Sequence, residues 1–242
     1  MRRSRASADE RPGRLRRLLD RLDVDYSTQD IEMVLNGIPP SEPPVTRPRL
    51  RTQPLHFPLD FAGRIAVLEG GFDPDRPNVR QFAGIDLEYL RQYQPEALVA
   101  PLGAALSLAD MKHRGLFDLP SLTVAIVVLT KLDDSPLAAH HRDMLWRAFG
   151  VPVFEQVRGW DDAVIARECE VHDGLHIVES AAIPHLHNDE LLVTQLSCVD
   201  DLIVRARTGL SAEIVVEHCE CGNEAPRLRN LAPLGRRTAA TV

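Results

Sequence analysis

The chain predicts an α/β fold, in which a parallel sheet with crossover helices is followed by a smaller β-rich lobe. Three observations carry this expectation. Residues 122–129, LTVAIVVL, are apolar at every position but Thr123, the pattern of a strand covered on both faces. A helix-spaced face of Leu137, His141, Leu145 and Ala148 follows, and VPVFEQV then resumes strand character, so strand, helix and strand succeed one another at the length of a right-handed parallel unit. After residue 185 the apolar segments shorten to ELLVTQL, DLIVRART and AEIVVEH, which suit antiparallel pairing.

In chain order, residues 1–56 read as a disordered tail and linker. MRRSRASADERPGR is polar and arginine-rich, and PPSEPPVTRPRLRTQP is proline-rich and extended. Between them Leu15, Leu18, Leu19 and Leu22 keep helical spacing, giving one short helix that either docks on a partner or on this chain's own body, or lies frayed on the arm. The body, residues 57–242, starts with RIAVLEGGF, a strand ending in a glycine turn. Asp86 is placed to cap a helix carrying Leu87, Leu90 and Tyr93. Pro95 ends that helix, and a second one runs through Ala104, Leu106 and Ala109 to a stop at Gly115. Asp134 or Ser135, with Pro136 behind it, predicts the start of the crossover helix, and Gly150 its end.

At 242 residues and 44% hydrophobic content the chain can build one sizeable core. A net charge of −7 and a pI near 5.7 exclude a dedicated surface for nucleic acid or anionic membrane over the body. No apolar run approaches the roughly 20 residues that cross a bilayer, and the arginine-rich start lacks a following apolar segment, so the expected location is the cytoplasm. Lys112 and Lys131 are the only lysines.

Four cysteines are too few for a disulfide scaffold, and their grouping suits metal binding or burial. Cys169 and His176 stand seven apart across a turn, and Cys219 and Cys221 flank Glu220 ahead of Gly222. Together they offer a Cys₃His set, the closed tetrahedral shell of a structural zinc. The competing account is reduced cysteines in a β-rich core with His176 hydrogen-bonded, and Cys198 is read as an ordinary buried thiol. His172, His185, His187 and His218 near this set are expected to be solvated loop residues. His140 and His141, adjacent on a helix, diverge and cannot share a metal. The pairs Asp133 and Asp134, and Asp200 and Asp201, are read as caps rather than paired acid–base groups.

Several phrases recur in a fixed order: ECEVHDGLHIVES from Glu168, then ELLVTQL, VRARTGL and EHCECGNEAPRL. Upstream, LEYLRQYQPEALVAPLGAALSLADMKHRG keeps Tyr93, Pro95 and Glu96. In order and spacing these resemble the phenylacetate–CoA ligase family of AMP-forming adenylating enzymes, whose phrases run EC, GLHI, GELVxTxL, RYRTGD and CxCGR. The resemblance covers roughly residues 60 to 240, and it implies the second half of that family's large N-terminal domain. It also implies that the Cys/His set ties the GLHI segment to the CxCG loop through zinc.

The departures from the family fall at the nucleotide. No Gly/Ser/Thr phosphate loop precedes the body, where PPVTRPRLRTQP stands instead. The YGxTE position reads RGWDD, so Arg158 replaces the stacking tyrosine and Asp162 the magnesium-binding glutamate. RARTGL puts Leu210 where an aspartate would hold the ribose. The resemblance leaves Gly159, Asp161, Asp162, Arg207 and, in the hinge-like GR dipeptide, Arg236 as a vestigial nucleotide site. With the chain ending at Val242, the lysine-bearing C-terminal domain is expected to be absent. A charge-assisted hydrogen bond contributes about 1.5–3 kcal/mol, so the ribose carboxylate alone is a loss of roughly 10- to 150-fold in affinity. The expectation is a zinc-stabilised chain without catalysis that binds a protein partner or a second copy of itself, with an aryl or acyl acid as a further ligand. The alternative is one half of a split ligase, completed by a partner and using ATP, magnesium and CoA.

Overall fold

The computed structural model describes residues 35–44, 55–69, 72, 77–197 and 203–235. In chain order the elements are β1 (Ile65–Val67), β2 (Val79–Gln81), α1 (Leu87–Tyr93), β3 (Ala97–Pro101), α2 (Leu102–His113), β4 (Ala125–Lys131), α3 (Ala139–Phe149), β5 (Val153–Arg158), β6 (Val164–Glu168), β7 (Leu175–Ile177), β8 (Ala182–His187), β9 (Glu190–Gln195), β10 (Ile203–Arg207), β11 (Leu210–Val215) and β12 (Arg227–Pro233). Among the described residues, β11-β12-β7-β6-β5-β4-β3-β1-β2 form one nine-stranded sheet and β10-β9-β8 a second of three strands. The half from β2 to β5 is parallel, and the half from β5 to β11 is antiparallel. The small sheet is antiparallel throughout.

Strand β4 is buried on both faces, as its unbroken apolar run requires. Ile126 and Val128 pack beneath the helices with Leu108 and Leu145, while Val127 and Leu129 meet Leu55, Phe72 and Phe154 on the other side. A third apolar cluster, including Trp160, Ile165, Leu175, Leu191, Val193, Leu210 and Leu228, joins the antiparallel half of the large sheet to the small one. No described helix is long and apolar enough to cross a membrane.

Local signals set most boundaries. Asp86 caps α1 by accepting the Tyr89 N–H at 3.1 Å. Gly150 ends α3 in the left-handed region, its N–H returning to Trp146 O. The start of α3 differs from the sequence expectation: the helix begins at Ala139, its N-cap Ala138 carries no side-chain bond, and neither Asp134 nor Ser135 caps it. The physical cause is Glu155 on β5. Its buried carboxylate accepts the Leu137 N–H at 2.9 Å and the Thr130 hydroxyl at 2.8 Å, which ties the non-helical residues 135–138 to β5. Burial raises the Glu155 carboxyl above the usual carboxylate range.

Strand β3 was hidden between Pro95 and the second helix, because four apolar residues are too few for periodicity to separate strand from helix. AEIVVEH contributes β11 to the far edge of the large sheet rather than to the small one. Inside the stretch read as a tail, residues 35–44 lie against the small sheet. Leu35 is fully buried against Ile38, Ile183 and Val204, and Ser41 forms a parallel bridge with Ala206. The Arg205 guanidinium donates to Leu35 O and Asn36 Oδ1, both at 2.9 Å. The helix expected around Leu15–Leu22 lies outside the described residues, as do Cys198, Asp200 and Asp201.

Candidate functional site

Two hairpin loops deliver the Cys/His set. The β6–β7 turn begins at Cys169, whose carbonyl accepts the His172 N–H, and the β11–β12 loop turns similarly at Cys219, whose carbonyl accepts the Gly222 N–H. Antiparallel pairing of β7 with β12, His176 opposite Arg227 and Leu175 opposite Leu228, sets the two loops side by side. Gly174 makes this approach possible, since a Cβ there would lie 2.7 Å from Leu228 O and its φ is +90°.

The ligand atoms of Cys169, His176, Cys219 and Cys221 all lie within 4.8 Å of one another. Cys169 Sγ is 3.8 Å from Cys219 Sγ, and Cys221 Sγ is 3.4 Å from His176 Nε2. A tetrahedron with metal–sulfur bonds of about 2.3 Å has sulfur–sulfur edges of about 3.8 Å. The tetrad is thus spaced to hold one metal ion. His176 directs Nδ1 at the Ala225 carbonyl, 3.2 Å away, which leaves Nε2 for the cysteines.

The protonation states follow from burial and crowding. Burial pushes the Cys169 thiol up to about 12, and the Cys221 and Cys219 thiols beside it reinforce the shift. Cys219 is also pushed up by burial, but the Cys221 N–H, its two thiol neighbours and the Arg227 guanidinium outweigh that and lower it. Burial, with help from Arg227 and Arg167, lowers His176, so its imidazole is neutral and competent as a ligand. Three thiolates this close require a cation among them, and metal uptake must therefore expel protons.

The residues of the vestigial nucleotide site are arranged differently. Gly159, Asp161 and Asp162 occupy the β5–β6 turn. Gly159 lies flat against the Gln195 amide, 2.6 Å from where its Cβ would be. The Gln195 amide oxygen accepts the Trp160 N–H at 3.0 Å, and its nitrogen donates to Asp161 Oδ1, which also takes the Ala163 N–H. Asp162, at φ +66°, places Oδ1 2.8 Å from Lys131 Nζ and 3.4 Å from Arg158 Nη2. Arg158 is 2% exposed; it donates to the Asp162 carbonyl and to the Glu69 carboxylate, and its guanidinium lies 5.4 Å from the Phe72 ring centre. Leu210 is buried in the apolar cluster with Trp160. Arg207 belongs to a separate network: it pairs with Glu190, whose other oxygen accepts the Gly209 N–H at 3.2 Å. Arg236 lies outside the described residues.

Sequence reasoning named Arg158 and Asp162 as replacements but missed their partners, Glu69 for Arg158 and Lys131 for Asp162, and it missed Gln195 entirely. It also misjudged His185. That residue is not a solvated loop histidine but a buried position on β8, 3.4 Å from Thr194 Oγ1, and burial with the nearby Arg205 charge pushes it down to about 4. His172 stacks on Phe154 with ring centres 4.6 Å apart.

No protein-family model matches the chain, and no curated protein matches it. Solved structures do. The chain is similar to 2-hydroxyisobutyryl-CoA ligase in an open conformation with 2-HIB-AMP and CoA, at TM-score 0.56 and 13% identity over 69% of this chain and 46% of that one. The post-adenylation state of the ligase with 2-HIB-AMP aligns at TM-score 0.56 and 14% identity over 69% and 42%. Its thioesterification state gives 0.54 and 13% over the same shares. The chain thus spans less than half the length of these ligases. At such identities the likeness establishes the fold alone, which this chain shares with part of those structures.

Proposed function

We propose that the chain is a catalytically silent relative of the phenylacetate–CoA ligase family that acts as a binding or scaffold subunit, its antiparallel half stabilised by a structural zinc. The observation that carries this reading is the engagement of Asp162. The acid that would bring magnesium to ATP is already neutralised by Lys131 at 2.8 Å and Arg158 at 3.4 Å. A magnesium ion at that carboxylate would meet two positive charges at close range. Leu210, buried among apolar neighbours, offers a ribose no acceptor.

A zinc ion held by Cys169, His176, Cys219 and Cys221 would supply no reaction, because four protein ligands would leave no position for a substrate. Its work is to cross-link the 169–174 and 216–226 loops. The partner in this reading is a protein or a second copy of the chain. Tyr89, Leu116, Met144 and Trp146, exposed at 58%, 55%, 46% and 60%, are the apolar side chains available for it on the helical side. An aryl or acyl acid is the small-ligand class that the family resemblance implies for the same subunit. The test is pyrophosphate release by the metal-loaded chain with magnesium ATP, CoA and a panel of arylacetic and short acyl acids. Rates at the blank level are expected. Turnover would assign the chain to the split-ligase class instead.

A further inference from the structure

We infer that Arg227 is the positioning and charge-balancing residue of the metal centre, an inference that rests on the zinc reading above. Arg227 opens β12 directly opposite His176, and its side chain is 1% exposed. Nη1 donates to the Asp173 carbonyl at 3.1 Å and to the Asp173 carboxylate, and Nη2 donates to the Glu217 carbonyl at 3.2 Å. Asp173 belongs to the turn that carries Cys169, and Glu217 to the loop that carries Cys219 and Cys221. One buried guanidinium therefore fastens both ligand-bearing loops. Arg229 adds a second arm to the Asp173 carboxylate.

Opposite charge is at hand as well. Three thiolates, a neutral imidazole and a divalent ion sum to −1. Arg227 and Arg229 share the Asp173 carboxylate and leave one positive charge over, and Glu168, next to Cys169, is paired with Arg142 at 2.9 Å. A buried anionic centre without a counter-charge would carry a large desolvation cost. The fixed guanidinium removes that cost and favours a divalent ion on three thiolates. A planar fork is needed to reach two loops at once, which a lysine cannot do.

The experiment is a zinc-affinity measurement by chelator competition on the full chain, with cobalt(II) absorption as a reporter of the ligand set. Wild type, Arg227→Met and Arg227→Lys are compared between pH 6 and 8. Arg227→Met is expected to weaken zinc by about 10- to 100-fold and to move the pH midpoint of cobalt binding upward, with the thiolate–cobalt bands unchanged in shape. Arg227→Lys is expected to recover the pH midpoint but only part of the affinity, separating charge from geometry. Wild-type affinity and midpoint in Arg227→Met would overturn the inference. Should that variant not fold, Arg227→Gln carries the test: it removes the charge and one arm of the fork but keeps a polar side chain, an expected cost of about 10-fold in affinity, and an unchanged affinity would overturn the inference equally. Failure of wild type itself to take up stoichiometric zinc is a separate result, which removes the metal reading before any variant is made.

Discussion

The paired loops at 169–174 and 216–226 and the turn at 158–162 are both polar constructions at the ends of antiparallel strands, but they dispose of their charges in opposite ways. In the turn, Arg158 and Asp162 are spent on protein neighbours: Glu69, Lys131 and each other. In the paired loops, four soft ligand atoms converge within 4.8 Å, with thiols that resist joint ionisation until a cation arrives. The charges of the first arrangement are already paired within the protein, and the thiols of the second have no cation partner among the described residues. Whether a group can serve a ligand depends on what already holds it, and not on its residue type alone.

The largest expected effect lies on the metal side of this contrast. Replacing Cys219 with serine is expected to abolish stoichiometric zinc, measured by elemental analysis. Structural zinc sites are strong enough to fold small domains, so a fall in Tm on the order of 10 °C or more should follow in calorimetric scans. An unchanged metal content would remove the Cys₃His assignment and level the two regions.

Next comes the attempt to reopen the turn. Leu210→Asp restores the acid that the family resemblance places there, but it buries a carboxylate in an apolar cluster at a position 4% exposed. A loss of about 4 kcal/mol in denaturant unfolding is expected, with no gain in ATP binding. A stable variant with new affinity for ATP would mean that the site is only dormant.

The smallest effect concerns the small sheet, which belongs to neither region. His185 titrates near 6.5 when unfolded and at about 4 when folded, so between these values the unfolded chain binds more protons. Its contribution is present in full above pH 6.5 and is lost as pH falls toward 4, by at most about 3 kcal/mol. With a chelator present, so that metal loss adds nothing, His185→Gln should flatten the acid side of the stability profile. A slope identical to wild type would place the titration elsewhere.

Much of this was legible in the sequence, for reasons that particular residues make clear. The Cys/His tetrad could be named because four soft ligands in two short pairs have few other uses, and hairpin pairing then had only to bring the loops together. Strand β4 and the end of α3 at Gly150 were equally plain, one from its apolar run and the other from a left-handed cap. The closure of the 158–162 turn was not legible. Arg158 finds Glu69 across 89 positions, and Trp160 finds Gln195 across 35. Neither pairing leaves a local pattern, because each is made by sheet topology. The late start of α3 escaped for the same reason, with Glu155 claiming the Leu137 N–H from 18 residues away.

The most direct test of the contrast between a charge-paired turn and a cation-seeking cysteine cluster is calorimetric titration of the metal-loaded chain with magnesium ATP. Absence of binding up to about a millimolar, weaker than roughly −4 kcal/mol, is the result predicted. A micromolar Kd would contradict it, and would mean that Asp162 exchanges Lys131 and Arg158 for a magnesium nucleotide.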